Sequence, residues 1–202
     1  PTHPQSSAAS DVYKRQILFF VFFEIVLLPM YFMIGIWGDK TVRTVSGFKN
    51  QIETRLYASI KFFVFTLFGS AFMLLGFLGL YYRGNKTFSI PELIELGTSG
   101  AFTGTFATLV FAVLFLGFAV KVPMWPLHTW LPDAHTAAPT VGSVLLAAIL
   151  LKLGSYGFVR IAIPILPEQA KAWAPAIAIL SASGIIYGSL ACLAQTDLKR
   201  LI

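Results

Sequence analysis

Residues 104–140 read GTFATLVFAVLFLGFAVKVPMWPLHTWLPDAHTAAPT, and their two halves conflict. The first half, to Val120, carries no charge and is close to the ~20 apolar residues that a helix needs to cross a hydrocarbon layer. It then meets Lys121 and four prolines, Pro123, Pro126, Pro132 and Pro139. A proline inside a helix removes a backbone donor and clashes one turn back, at ~3 kcal/mol or more. The pattern predicts a discontinuous helix. One half runs to about Lys121, a break spans residues 123–126, and a short amphipathic second half bears His128 and Trp130. Non-helical backbone at membrane depth persists only where protein buries it or where it lines a wet cavity. Transporters place their ion sites at such breaks.

Working outward, four more apolar runs flank this one, at 17–37, 56–82, 141–166 and 175–194. Hydrophobic residues make up 56% of the chain, charged residues 12%, and the mean hydropathy is +0.75. Soluble domains carry about 25% charged residues, so this chain has half the usual supply. The class is all-α: a polytopic bundle of five spanning helices, one of them broken, set in the lipid bilayer. The net charge of +6 does not point to nucleic acid, because the basic residues cluster at the ends of apolar runs. Loop 38–55 holds Lys40, Arg43, Lys49 and Arg55, and the C-terminal end adds Lys199 and Arg200. The other side holds Arg83, Lys86, Arg160 and Lys171. By the positive-inside rule, loop 38–55 and the C-terminal end are expected on the cytoplasmic (or matrix) side.

Residues 1–16 are polar and abut an apolar helix without a cap. Residues 6–16, SSAASDVYKRQ, resemble the translation of a sequencing adaptor. Residues 1–16 are expected to be a non-native, disordered assembly segment, a natural polar loop being the alternative. The remainder, 17–202, is expected to be a fragment of a transmembrane domain. Cys192 has no partner cysteine, which excludes a disulfide or an iron–sulfur site within this chain. No phosphate-cradling glycine pattern occurs.

Within the first run, Glu24 interrupts an otherwise apolar helix, and Pro29 is expected to loosen it one turn later. Lys61, near the start of the second run, is expected to snorkel to the interface. Gly69, Ser70, Gly76 and Gly79 read as a packing surface. Ser89, Pro91 and Glu92 look like the start of a short helix lying along the membrane. Gly184 and Gly188 stand at GxxxG spacing in the last run.

Three charges cannot be placed in loops: Glu24, Lys121 and Lys152. Each costs ~2.5–3.5 kcal/mol at a helix centre on insertion scales. Glu24 and Lys121 have opposite signs and could pair across helices, which leaves Lys152 without a local carboxylate unless a histidine or sequence beyond this chain supplies a partner. Moving Glu24 toward or away from Lys121 would switch the lysine between holding and releasing a proton. The other reading is a static ion pair that sets helix register. His128, just past the break, is a second candidate proton relay. His135 beside Asp133 reads as a local polar contact. His128, Asp133 and His135 match no standard metal-ligand spacing, so no metal is expected. Tyr156 is expected to pack its ring, and Asp197 with Lys199 and Arg200 to form an interfacial cluster.

The stretches FFEIVLLPMYFMIGIWG (22–38), FAVKVPMWPLHTWLPDAHTAAPTVGSVLLAAILLKLGSYGFVR (118–160) and IIYGSLACLAQTDLKRLI (185–202) resemble the antiporter-like membrane subunits of proton-translocating NADH–quinone oxidoreductase, complex I. The form is that of the subunit M (chain 4) family. The lysine in LLKLGSYG and the proline-rich centre favour it over the sister subunit L and over Mrp-type cation/proton antiporters. Hydrogenase-linked and photosynthetic relatives are harder to separate. The resemblance implies the fifth to ninth helices of a longer subunit and the start of the tenth. It implies that Glu24, Lys121, Lys152 and His128 carry protons, driven by quinone reduction elsewhere in the complex. It further implies quinone, FMN and iron–sulfur clusters in other subunits and none here. Antiporter-like neighbours are the implied partners, and a bacterial inner membrane is preferred over the mitochondrial one.

Overall fold

The computed structural model describes residues 15–43, 52–196 and 199. Most of the segment set apart at 1–16, together with Asp197 and Arg200, lies outside the described residues. Five helices among the described residues are long and apolar enough to span a membrane. The all-α bundle expected from the hydropathy pattern is therefore present.

The first span, Gln16–Trp37, is two helices, α1 (Gln16–Ile25) and α2 (Leu27–Trp37), interrupted at Val26. Pro29 supplies the reason: it cannot donate back toward Ile25, so the ladder opens one turn before the proline. Helix α3 (Thr54–Arg83) is the longest. It is preceded by a two-residue antiparallel pair, β1 (Val42–Arg43) and β2 (Ile52–Glu53). Helix α4 (Ile90–Thr98) is the expected short connecting helix, with Pro91 in its first turn and Ile90 and Leu93 buried. Helix α5 (Gly104–Lys121) ends at the lysine. Helix α6 (Trp130–Ala137) is the second half of the broken element. Helix α7 (Thr140–Ile165) contains two π-helical turns, Leu146–Leu150 and Phe158–Ala162, on either side of Lys152. Helix α8 spans Pro167–Leu193.

Two boundaries differ from expectation. The break is longer than residues 123–126, because α6 begins only at Trp130, so His128 lies in the turn before it. The last span begins at Pro167 rather than near 175. Pro167 opens the helix, where its missing N–H removes no bond, and Pro175 sits inside it. Membrane helices accommodate interior prolines because neighbouring groups satisfy the freed carbonyl.

Helix α3 organises the bundle. Its Ala58, Phe62, Thr66, Gly69, Met73, Phe77 and Leu80 are buried at three- and four-residue spacing, the stripe that places one helix face against its neighbours. Met73 and Phe77 join Phe23, Phe111, Leu114 and Phe118 in one cluster. Phe62 joins Leu27, Met30, Trp130 and Leu146 in a second. The α3–α5 contact is close because both helices present glycine there. A Cβ on Gly117 would lie 2.8 Å from the Gly69 carbonyl oxygen and 2.8 Å from Met73 Cβ.

At one end of the bundle the Asp39 N–H donates to Ala137 O (2.8 Å) and Arg55 to Ile36 O (2.7 Å). Lys199 donates to Ala138 O (3.0 Å) at the same end. Asp39, Arg55 and Lys199 therefore share a side, as the alternation of spans requires. Helix α8 is peripheral: Ile179, Ile185, Ile186 and Leu190 are all exposed. Within the described chain, a Cβ on Gly188 meets nothing within 4 Å.

Candidate functional site: a charge pair at a broken helix

Lys121 is the last residue of α5, and the chain beyond it cannot continue as helix because Pro123 lacks a donor. The Val122 N–H still reaches Phe118 O at 2.8 Å, whereas that of Met124 reaches back five residues to Ala119 O at 2.9 Å. The helix thus unwinds within one turn. Its end is held from two sides. Trp130, at the start of α6 and fully buried, donates its indole N–H across the break to Val120 O at 2.9 Å. On the other flank a Cβ on Gly154 of α7 would lie 3.1 Å from Lys121 Cβ and 2.8 Å from Val122 Cγ2. That glycine lets α7 close against the lysine's own backbone.

So held, Lys121 is 1% exposed, and its side chain turns toward α1. The ammonium lies 4.4 Å from the centroid of the Phe23 ring, a cation–π distance. Glu24 is the next residue along α1. Its carboxylate and the Lys121 ammonium interact electrostatically, yet they close no direct ion pair. Oε1 of Glu24 and Nζ of Lys121 are both buried without a hydrogen-bond partner among the described residues. Ser70 of α3, itself buried, faces the Glu24 carboxylate while its hydroxyl donates to Leu67 O at 2.9 Å. Glu24 and Lys121 therefore face each other across a gap.

His128 stands within the break, in the turn before α6, with Nδ1 buried and without a hydrogen-bond partner among the described residues. Its ring packs edge-on against Tyr187 of α8, with centroids 5.3 Å apart. Lys152 does not join this group. It sits between the two π-helical turns of α7 with its side chain exposed on the outer face of the described chain. Tyr156, one turn on, packs its ring 5.8 Å from that of Phe19, as expected of its aromatic body.

Two further residues were legible only in part. Lys61 was expected at the interface, but it forms an ion pair with Asp133 of α6 at 2.7 Å. Asp133 accordingly faces α3 rather than His135. Ser70 read only as packing surface. Its one sequence signal is that it stands beside Gly69 on the buried stripe of α3. Among the described residues, no group of three or more His, Cys, Asp or Glu side chains converges.

A bundle of spanning helices built round a buried carboxylate, a buried lysine and a broken helix defines a polytopic membrane protein with ionisable groups in its interior. The chain belongs to the family described as NADH:quinone oxidoreductase/Mrp antiporter, transmembrane, whose family model matches residues 14–202. Over 195 residues it is 46% identical to NADH-quinone oxidoreductase subunit M of Rhodobacter capsulatus, an alignment covering 92% of this chain and 35% of that protein. It is 45% identical to the subunit M of Rickettsia bellii, over 92% of this chain and 34% of the relative. Among solved structures it superposes on a chain of respiratory complex I from Thermus thermophilus with bound NADH. There the TM-score is 0.78 and the identity 32%, covering 93% of this chain and 37% of that one. The chain thus spans about a third of the length of these relatives, and the motif resemblance to subunit M is borne out.

Proposed function

We propose that this chain is part of a membrane subunit of an NADH–quinone oxidoreductase and that it carries protons through Glu24 and Lys121. The observation that carries the reading is the unclosed gap between a carboxylate and an ammonium at the end of a proline-broken helix. A closed pair would favour a static clamp. Two facing groups with unpartnered buried atoms respond to small movements, because a charge's hold on its proton depends steeply on distance to its neighbour at low dielectric. His128, within the break, is the adjacent relay. Lys152, on the outer face, is the next station, reached through neighbouring protein. Electron transfer from NADH to quinone elsewhere in the complex supplies the energy. FMN, quinone and iron–sulfur clusters belong to other subunits, and antiporter-like subunits are the neighbours. The membrane is the inner membrane of a bacterium.

Glu24→Gln tests the reading in the full-length subunit within the assembled complex. Glutamine keeps the shape and the approach to Ser70 but cannot bind or release the proton. NADH-driven acidification of inverted membrane vesicles is expected to fall by about tenfold or more, while oxidation of NADH by an artificial acceptor is unchanged. Unaltered acidification would remove Glu24 from the path. The parent complex is expected to acidify vesicles only when quinone is reduced, with no requirement for sodium. Sodium-dependent gradients without NADH oxidation would assign the site to cation/proton exchange of the Mrp type instead.

A further inference from the structure

We propose that Lys61 and Asp133 are positioning residues that set where Lys121 stands relative to Glu24. This inference rests on the proton-carrying role of Lys121 argued above. Lys61 is not at the end of its helix. It lies seven residues beyond Thr54, about 10 Å along α3 at 1.5 Å per residue. Its ammonium meets the Asp133 carboxylate at 2.7 Å, with side chains 19% and 30% exposed. A pair so covered is screened far less by salt than one in open solvent. Asp133 also lies in the first turn of α6, where the helix dipole favours a carboxylate.

The pair is one end of a short mechanical chain. Trp130 precedes Asp133 by three residues, on the same face of α6. Its ring packs 5.5 Å from that of Phe62, the residue after Lys61. Its indole N–H bonds to Val120 O at 2.9 Å, and Val120 adjoins Lys121. Helix α6 is therefore held to α3 by an ion pair and a ring contact, and to the end of α5 by one buried hydrogen bond. Shifting α6 along α3 moves Trp130, hence the Val120 carbonyl and hence the root of the Lys121 side chain. Lys121 faces Glu24 across a gap rather than in a closed pair, so a shift of a few tenths of an ångström alters their coupling.

The test uses the full-length subunit in the assembled complex, with variants K61Q, D133N, K61R and the charge exchange K61D/D133K, and K121A run in parallel. Protons translocated per NADH oxidised are measured in vesicles, with assembly read from NADH oxidation by an artificial acceptor. K61Q and D133N are expected to assemble and to lose translocation about fivefold or more. K61R is expected to keep it, and K61D/D133K to regain at least half of it. Translocation within twofold of the parent in D133N while K121A is inactive overturns the positioning role and leaves the proton path standing. Failure of both neutralised variants to assemble, or an exchange variant no better than the singles, also overturns it. Normal translocation in K121A instead overturns the reading on which the inference rests.

Discussion

Lys121→Ala in the full-length subunit is expected to abolish NADH-driven proton translocation while the complex remains assembled. The side chain is 1% exposed and its ammonium reaches the ring beside Glu24, so the substitution removes the basic group that faces the carboxylate. Assembly survives for an energetic reason. A charge held inside a membrane helix costs ~2.5–3.5 kcal/mol on insertion scales, and alanine removes that cost. Breaking a closed buried ion pair would cost ~3–5 kcal/mol, but no closed pair exists here. Alanine keeps the Cβ that Gly154 packs against, and α5 stays anchored by Phe111, Leu114 and Phe118. Vesicle acidification measured together with NADH oxidation decides the matter. Normal translocation would refute the mechanism. If Glu24 and Lys121 were only a packing device, replacing both with apolar residues would preserve translocation. Under the proton-carrying reading that double variant is as inactive as K121A.

The second large effect falls on the fold rather than the path. Gly117→Val is expected to prevent assembly, seen as loss of the subunit from the native complex on gels and not merely as slower transport. A Cβ at this position would lie 2.8 Å from the Gly69 carbonyl oxygen and 3.1 Å from the Met73 amide nitrogen. Both are backbone atoms of α3, which cannot turn aside as a side-chain tip can. The helices must separate, which opens the cluster of Met73, Phe77, Leu114 and Phe118. Large-to-small losses in such cores run to ~2–5 kcal/mol per side chain, and several would be felt together. Full assembly of Gly117→Val would show that the α3–α5 approach is not required.

How far the sequence reached can be judged residue by residue. Pro29 announced the interruption found at Val26, and Pro123 announced the end of α5 at Lys121. Both are backbone effects, local in origin and independent of the rest of the bundle. Glu24 and Lys121 were legible as a pair by exclusion, being charges that no loop could hold. Their gap was not legible, because it depends on how Trp130 and Gly154 hold the end of α5. Lys61 was misplaced for a related reason. A lysine near a helix end snorkels by default, and nothing local reveals a carboxylate 72 positions away.

By itself, then, the sequence determined the spans, the break and the identities of the charges confined to them. Hydrocarbon forces every backbone polar group to be satisfied within its own helix, so run length and proline position are enough. Tertiary structure alone decided which charges meet. On a helix apolar all round, such as α1, no polar face sets its rotation about the axis, and each residue turns the next by about 100° at 3.6 residues per turn. Only packing sets that rotation. It turned Lys121 inward to Glu24, bound Lys61 to Asp133, and left Lys152 facing outward.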